Sequence, residues 1–340
     1  VYRKRWGGGG SFKSHKLYEK IISPENLFSA WGEFRVGKLR RADVAAYDVQ
    51  LEDNIFRLHD SLKSGRYQHG PYESFIICDP KRRHIHKPGV SDRLLHHAVV
   101  RLIEPLFDRA FIFDSWSCRD NKGTHAAVVR FQQLAQEISA NNHNIVWVLQ
   151  LDIRKFFDSI DHDVLLQLLR RKISDPKVMS LLAEIIGSFS PGLPLGNLTS
   201  QLCANIYMNP LDQFVKHDLK IRGYLRYADD FTLLHTNRRV LEACIPRIAA
   251  MLWSQLKLRI HPEKITIKKF RSGIDLLGYI CFPNFRIIRT RMKRRIMRRV
   301  EPKNLASYMG ALSHCRSYGF KHILLSHIRS GWQNKKLPIR

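Results

Sequence analysis

Tyr227-Ala228-Asp229-Asp230 lies between two short apolar runs, Tyr224-Leu225-Arg226 before it and Phe231-Thr232-Leu233-Leu234 after it. Alternating apolar residues broken by a tight polar pair predict a β-hairpin with Asp229 and Asp230 at its tip. Two like charges side by side repel and resist burial, so a fold that presents them together points to divalent cations bound there. Asp is also common in ordinary solvated turns. A third carboxylate upstream separates the two readings.

That carboxylate is Asp152. The run Ile145-Val146-Trp147-Val148-Leu149-Gln150-Leu151 is apolar and β-branched enough for a buried strand, and Asp152 falls where the strand should end. A carboxylate at a strand end beside a carboxylate hairpin makes a hard-oxygen site suited to Mg²⁺. Two such ions ~3.5–4 Å apart can clamp an attacking hydroxyl and a leaving pyrophosphate in an in-line displacement. The chemistry implied is nucleotidyl transfer.

The chain has 340 residues, 44% of them hydrophobic, which allows a sizeable core and more than one domain. Lys and Arg number 57 against 30 Asp and Glu, a net charge of +27 that points to a polyanionic partner, nucleic acid first. A basic membrane-surface protein would concentrate its charge in one amphipathic anchor, whereas here the cationic stretches alternate with strand-like runs. Six scattered cysteines, none in a C-x-x-C pair, give neither a zinc knuckle nor a disulfide framework. No apolar run approaches ~18 residues and the N-terminus has no signal-like segment, so the expected location is cytoplasmic, without a membrane partner.

Residues 1–23 read as a flexible basic lead-in, Gly-rich over Val1 to Ser11, which ends in Gly7-Gly8-Gly9-Gly10-Ser11. From Pro24 the spacing predicts a helix with Leu27, Ala30 and Trp31 on one face, then a second with Val49, Ile55, Phe56, Leu58 and Leu62 inside. Asp79-Pro80-Lys81-Arg82-Arg83-His84-Ile85-His86-Lys87-Pro88 is a basic strand-turn-strand stretch whose Arg forks suit a triphosphate, although a solvated basic turn has the same composition. His84, His86, His96 and His97 suggest a metal site only weakly, because adjacent His96 and His97 face different sides of a helix. Asp114 to Arg119 reads as a polar turn, with Arg119 a further phosphate candidate. Past Asp152, adjacent Phe156 and Phe157 predict one ring packed inward and one free to lie under the sugar of a nucleotide, where it would clash with a 2′-hydroxyl.

Asp161 and Asp175-Pro176 start two helices. The loop from Ser190 to Gly196 delivers Asn197-Leu198-Thr199-Ser200-Gln201 to a third, letting backbone approach a nucleotide closely. Lys264, if it reaches the carboxylates, could protonate a leaving pyrophosphate, although a surface position is the commoner fate of a lysine. Leu276-Leu277-Gly278-Tyr279 and Phe285-Arg286-Ile287-Ile288 predict a hairpin over Pro283-Asn284. From Arg286 to Arg299 there are eight Lys or Arg and no acid. A helix from about Thr290 would bury Met292, Ile296 and Met297 and turn Arg291, Arg294, Arg295 and Arg298 toward a duplex backbone.

These parts resemble a reverse transcriptase from about Pro24 to Trp332. Leu151-Asp152-Ile153-Arg154-Lys155-Phe156-Phe157 looks like the first palm motif. The resemblance makes Asp152 and the Ile153 backbone metal ligands and Phe157 the steric gate against ribonucleotides. Tyr227-Ala228-Asp229-Asp230 matches the catalytic tetrapeptide, with Tyr227 toward the substrate, and Lys264 the general-acid position. Leu277, Gly278 and Tyr279 match the primer grip, and Arg83 and Arg119 match residues that handle triphosphate or template. The implied fold is α+β, a right-hand polymerase with fingers (24–144), an antiparallel-sheet palm (145–282) and a basic helical thumb (283–340). The implied cofactor is a pair of Mg²⁺ ions, with Mn²⁺ able to substitute, and the implied substrates are template RNA, cDNA and dNTPs.

Gly192-Leu193-Pro194-Leu195-Gly196-Asn197-Leu198-Thr199-Ser200-Gln201 narrows the resemblance. Retroviral and group II intron enzymes carry Gln-Gly at the positions of Leu195-Gly196, and Ser-Pro where this chain has Ser200-Gln201. The form here looks like the reverse transcriptases of diversity-generating retroelements, which copy a template-repeat RNA with errors at template adenines and work with a structured noncoding RNA and a small oligomeric accessory protein. Leu195, Gly196, Asn197 and Gln201 are then nucleotide-pocket residues, and an apolar Leu195 in place of an amide removes a hydrogen bond near the incoming nucleotide. A bacterial anti-phage defence reverse transcriptase is the alternative, since such enzymes share this palm. A catalytically silent RNA-binding scaffold fits less well with three intact carboxylates.

Overall fold

The computed structural model describes residues 16–78 and 82–333. Residues 1–15 of the lead-in and residues 79–81 of the basic loop lie outside the described residues, whereas Leu17–Ile22, expected as part of the flexible lead-in, is a helix that buries Ile21 and Ile22. The chain divides into two compact units, one of Val1–Ile112, Arg154–Leu211 and Met251–Arg259, the other of Phe113–Ile153, Asp212–Ala250 and Ile260–Arg340.

The first unit is mainly helical. Ser23 caps the helix Pro24–Phe34 by accepting from the Asn26 amide, and Pro24 at its first turn needs no partner there. Its buried face, Leu27, Ala30, Trp31 and Phe34, packs on the helix Val90–Asp108, which contributes Leu94, Leu95, Ala98 and Ile103. Asn26, buried between them, is satisfied by donating to the carbonyls of Ile21 and Ala98 at 2.9 and 3.1 Å. Asp161 and Asp175 cap the helices His162–Arg170 and Pro176–Gly187, as their positions in the sequence predict. Two strands, β1 (Glu73–Ile77) and β2 (Arg83–Lys87), pair antiparallel.

One helix of this unit differs from expectation. The segment holding Val49 to Leu62 is two helices, Ala42–Val49 and Leu51–Lys63, broken at Gln50. The break turns Val49 out to 84% exposure, and Phe56 is 49% exposed, so neither joins Ile55, Leu58 and Leu62 in the core. The reset in helical phase at Gln50 takes Val49 off the face that Leu62 shares.

The second unit is built on a four-stranded antiparallel sheet in the order β4-β5-β3-β6, with β3 Trp147–Leu151, β4 Gly223–Tyr227, β5 Asp230–His235 and β6 Thr266–Lys269. One face is covered by the helix Thr124–Ile138, whose Ala127, Val128, Phe131 and Leu134 pack with Val148, Leu225, Leu234 and Phe270. A three-stranded sheet follows, β7 (Ile274–Leu276), β8 (Tyr279–Cys281) and β9 (Arg286–Ile288). The predicted hairpin over Pro283-Asn284 is β8 with β9. Leu276 to Tyr279 is itself a two-residue hairpin to the extra strand β7, because Leu277 and Gly278 both take positive φ, 48° and 94°. The helices Thr290–Arg299, Pro302–Ser313 and Tyr318–Gln333 then pack around Ile288, Ile296, Leu312 and Leu324.

Candidate active site

The register of the second unit brings the carboxylates together. Tyr227 pairs with Asp230 across the β4-β5 hairpin, leaving Ala228 and Asp229 as its turn, and Ala228 takes φ 55°. On the other side of β5, Leu151 pairs with Phe231, so Asp152, one residue beyond the end of β3, stands opposite Asp230. Asp152 is fixed again by its carbonyl, which accepts from the His261 amide at 2.8 Å, and Ile153 bridges to Ile260. The short 3-10 turn Pro262–Lys264 then sets Lys264 Nζ 2.6 Å from Asp152 Oδ2.

The Asp230 carboxyl is pushed up to about 7, first by crowding that strips water from it, then by the Asp229 charge and the hydrogen bond and charge of Asp152, with Lys264 acting the other way. Part of Asp230 still reaches solvent. A carboxyl raised by its neighbours in this way marks an arrangement unfavourable for the free chain and favourable for a cation. The oxygens of Asp152, Asp229 and Asp230 and the Ile153 carbonyl are the hard donors such an ion requires, although among the described residues no group of three His, Cys, Asp or Glu is gathered tightly enough to hold a metal as it stands. Asp152 faces the Lys264 ammonium instead.

Arg226 holds the hairpin from beneath. Its side chain is wholly buried and forks onto Asp212, Nε to Oδ1 at 2.8 Å and Nη2 to Oδ2 at 2.7 Å. Nη1 donates to the Ala228 carbonyl at 2.9 Å and Nη2 to Ser115 Oγ at 2.9 Å. Tyr227 is half-buried, its hydroxyl 3.1 Å from Thr124 Oγ1. Arg119 donates to the Ser115 carbonyl at 3.0 Å. Leu277 is half-buried against the cluster that includes Tyr227, while Tyr279 is buried and its hydroxyl donates to the Ala311 carbonyl at 2.9 Å. Of the basic helix, Arg291, Arg294 and Arg298 are exposed and Arg295 is half-buried.

The first unit carries the remaining candidates. Phe156 is buried and Phe157 half-buried, their rings edge to face at 5.3 Å. The Phe157 carbonyl accepts from the Leu193 amide at 2.9 Å, and Gly192, at φ 72°, runs so close that an added Cβ would lie 2.0 Å from that oxygen. His162 braces the same loop with Nε2 2.7 Å from the Gly192 carbonyl. Leu195 and Gln201 are half-buried, and Gly196 is exposed, with Ile85 of β2 3.3 Å from where its Cβ would stand. Asn197 is 5% exposed, and its side chain hydrogen-bonds the Tyr72 hydroxyl. Arg83 is exposed on β2. His96 and His97 do diverge: His96 stacks on His69 at 5.3 Å and His97 meets the edge of Phe34 at 5.3 Å.

A family model described as "Reverse transcriptase (RNA-dependent DNA polymerase)" matches residues 78–281. The chain belongs to the reverse transcriptase family. This reverse transcriptase is 28% identical over 306 residues to Protein YkfC of Escherichia coli, covering 75% of this chain and 78% of that one. It is 29% identical over 220 residues to the group II intron-encoded protein LtrA of Lactococcus lactis, covering 59% of this chain and only 35% of LtrA. Among solved structures it is similar to the apo telomerase of Candida tropicalis, with a TM-score of 0.52 at 10% identity over 65% of this chain and 49% of that chain. Telomerase of Candida albicans in complex with a fragment of telomeric RNA gives a TM-score of 0.52 at 11% identity over 78% of this chain and 57% of that chain. The likeness to these structures shows the fold, that of a right-hand polymerase with antiparallel sheets and helices. Among the described residues no helix of the reverse transcriptase is long and apolar enough to cross a membrane.

Sequence reasoning missed the supports. Asp114 to Ser117, expected as a polar turn, is buried, because Arg226 draws in Ser115 and bonds its own backbone to the Asp114 and Trp116 backbones. The one available signal was Arg226 itself, a charge at a position where the strand pattern calls for an apolar residue.

Proposed function

We propose that this reverse transcriptase copies a template RNA into cDNA for a diversity-generating retroelement, with errors concentrated at template adenines. The observation that supports catalysis is the register that sets Asp152 opposite Asp230 with Asp229 at the hairpin tip. Asp152, Asp229, Asp230 and the Ile153 carbonyl would hold divalent cations, Mg²⁺ or Mn²⁺. Bound there, the cations would supply charge neutralisation and a more acidic 3′-hydroxyl. The 3′-hydroxyl would give up its proton to solvent water, and its oxygen would bond to the α-phosphorus of a dNTP as the bond from that phosphorus to pyrophosphate breaks. Lys264, whose Nζ lies 2.6 Å from Asp152 Oδ2, would give the leaving pyrophosphate its proton.

Phe157 would exclude a 2′-hydroxyl, and Arg83 and Arg119 would meet triphosphate or template. Leu277, Gly278 and Tyr279 would support the primer end, and the exposed Arg291, Arg294 and Arg298 would follow the duplex backbone with Arg295 behind them. Leu195, Gly196, Asn197 and Gln201 would shape the pocket. A pocket with leucine where relatives of the family use an amide loses one hydrogen bond that discriminates among base pairs. A structured noncoding RNA and a small oligomeric accessory protein are the expected partners.

Sequencing of cDNA made by the purified protein on an RNA of balanced base composition, with and without the products of neighbouring genes, tests this reading. Errors clustered at template adenines are expected. Faithful copying would favour the defence class of reverse transcriptase.

A further inference from the structure

A cleft of about 330 Å³ in the first unit is lined by Arg154, Lys155, Ser159, Trp253, Lys257 and Arg259. Its four cationic residues are all exposed. Trp253, near the end of the helix Arg238–Leu256, is 54% exposed, with the Arg259 guanidinium 4.5 Å over its ring. The walls are tied by the Arg154 amide, which donates to the Arg259 carbonyl at 2.9 Å. Lys155 and Lys257 both take positive φ, 47° and 51°, a conformation that a lysine adopts only where its surroundings impose it. Lys257 is partly neutralised by Asp161 Oδ2 at 2.5 Å. No carboxylate among the described residues pairs with Arg154, Lys155 or Arg259, so the cleft keeps an uncompensated positive charge around an exposed indole that Arg259 covers on one face.

We propose that this cleft binds a single-stranded nucleic acid segment, with one base stacked on Trp253 and the flanking phosphates on Arg154, Lys155 and Arg259. An aromatic platform inside a cationic groove is what a sequence-tolerant single-strand site requires, since every base offers a π-face and the backbone supplies a phosphate on either side of it. A lipid surface would call for protruding apolar side chains, whereas Trp253 is the sole apolar residue lining this concave cleft. The site does not depend on the retroelement reading.

The test is fluorescence anisotropy of a short labelled oligouridylate added to the full chain with unlabelled primer–template in excess. Trp253→Ala is expected to weaken binding about tenfold. Trp253→Phe should keep most of the affinity, which separates loss of stacking from loss of fold. Arg154→Glu with Arg259→Glu should weaken binding further and flatten its salt dependence by about 0.7 per residue. A 4-thiouridine probe should crosslink near Trp253, and extension of a preannealed primer by Trp253→Ala should run at the wild-type rate, a result independent of whether errors fall at adenines. Wild-type affinity in Trp253→Ala, crosslinks confined to other segments, or UTP binding as tightly as the oligonucleotide would each overturn the proposal. So would Trp253-dependent binding to phosphatidylserine vesicles in place of the oligonucleotide.

Discussion

Arg226 and Asp212 face each other with neither side chain exposed, joined by two bonds of 2.8 and 2.7 Å. Burial opposes charge on Arg226, but the Asp212 carboxylate outweighs it and the guanidinium is raised further above its usual range. The same guanidinium carries the Ala228 carbonyl, so the pair fixes the turn that presents Asp229. Asp212→Ala removes the carboxylate that forks with a buried guanidinium and should lower stability by about 3–5 kcal/mol in urea unfolding. Arg226→Lys keeps the charge and loses the fork. That variant should fold, with primer-extension kcat reduced and KM for dNTP little changed. Wild-type kcat in a folded Arg226→Lys protein would remove the positioning role.

The three carboxylates should bind divalent ions measurably without any turnover. Saturating Mg²⁺ is expected to raise the melting temperature of the wild-type chain, since a ligand at about a hundred times its Kd adds ~2.7 kcal/mol. Asp152→Ala and Asp229→Ala should lose both the shift and all primer extension while still binding RNA. Extension surviving in either variant would refute the metal assignment, and chelation of divalent ions should abolish extension in the wild type.

The hairpin and its partner strand were legible because both signals are local: alternation sets each strand, and the polar break sets the turn, although that turn is Ala228 and Asp229, with Asp230 opening β5 opposite Tyr227. The basic helix was legible for the same reason, its Met292, Ile296 and Met297 spaced to face a core that contains Ile296. What escaped was long-range. Arg226 reaches Ser115 across 111 positions, and Gly192 meets Phe157 through a loop whose path no periodicity describes. Strand β7 is only three residues long, and its turn relies on Leu277 in a left-handed conformation that the sequence does not advertise.

The raised Asp230 carboxyl fixes the sign of a pH effect. Its folded value, about 7, lies above the ~3.9 of an unfolded Asp, so between these limits the folded chain holds more protons than the unfolded one. Its contribution to stability is full below the unfolded value and is lost as pH rises through about 7. In metal-free buffer the wild-type melting temperature should therefore fall across this window more steeply than that of Asp230→Asn. At pH values above the window the Asn variant should be the more stable of the two and yet inactive. Parallel pH profiles for the two proteins would show that the carboxylates do not repel one another.

Gly192 gives the sharpest steric prediction. Its φ of 72° suits glycine, and a Cβ there would meet the Phe157 carbonyl at 2.0 Å and Asp158 Cα at 2.7 Å, all of it backbone that cannot rotate away. Gly192→Ala must move the loop or the Phe157 backbone, at a cost on the order of 1–3 kcal/mol for the backbone strain alone. Because the Leu193 amide anchors Phe157, the displaced ring should discriminate sugars less well. Extension with ribonucleotides should rise in Gly192→Ala relative to extension with dNTPs, in the direction of Phe157→Ala, in which the ring is removed and ribonucleotides are admitted outright. A Gly192→Ala protein that is destabilised but keeps wild-type sugar selectivity would confine the contact to a structural role, and unchanged selectivity in Phe157→Ala would take the gate away from that ring.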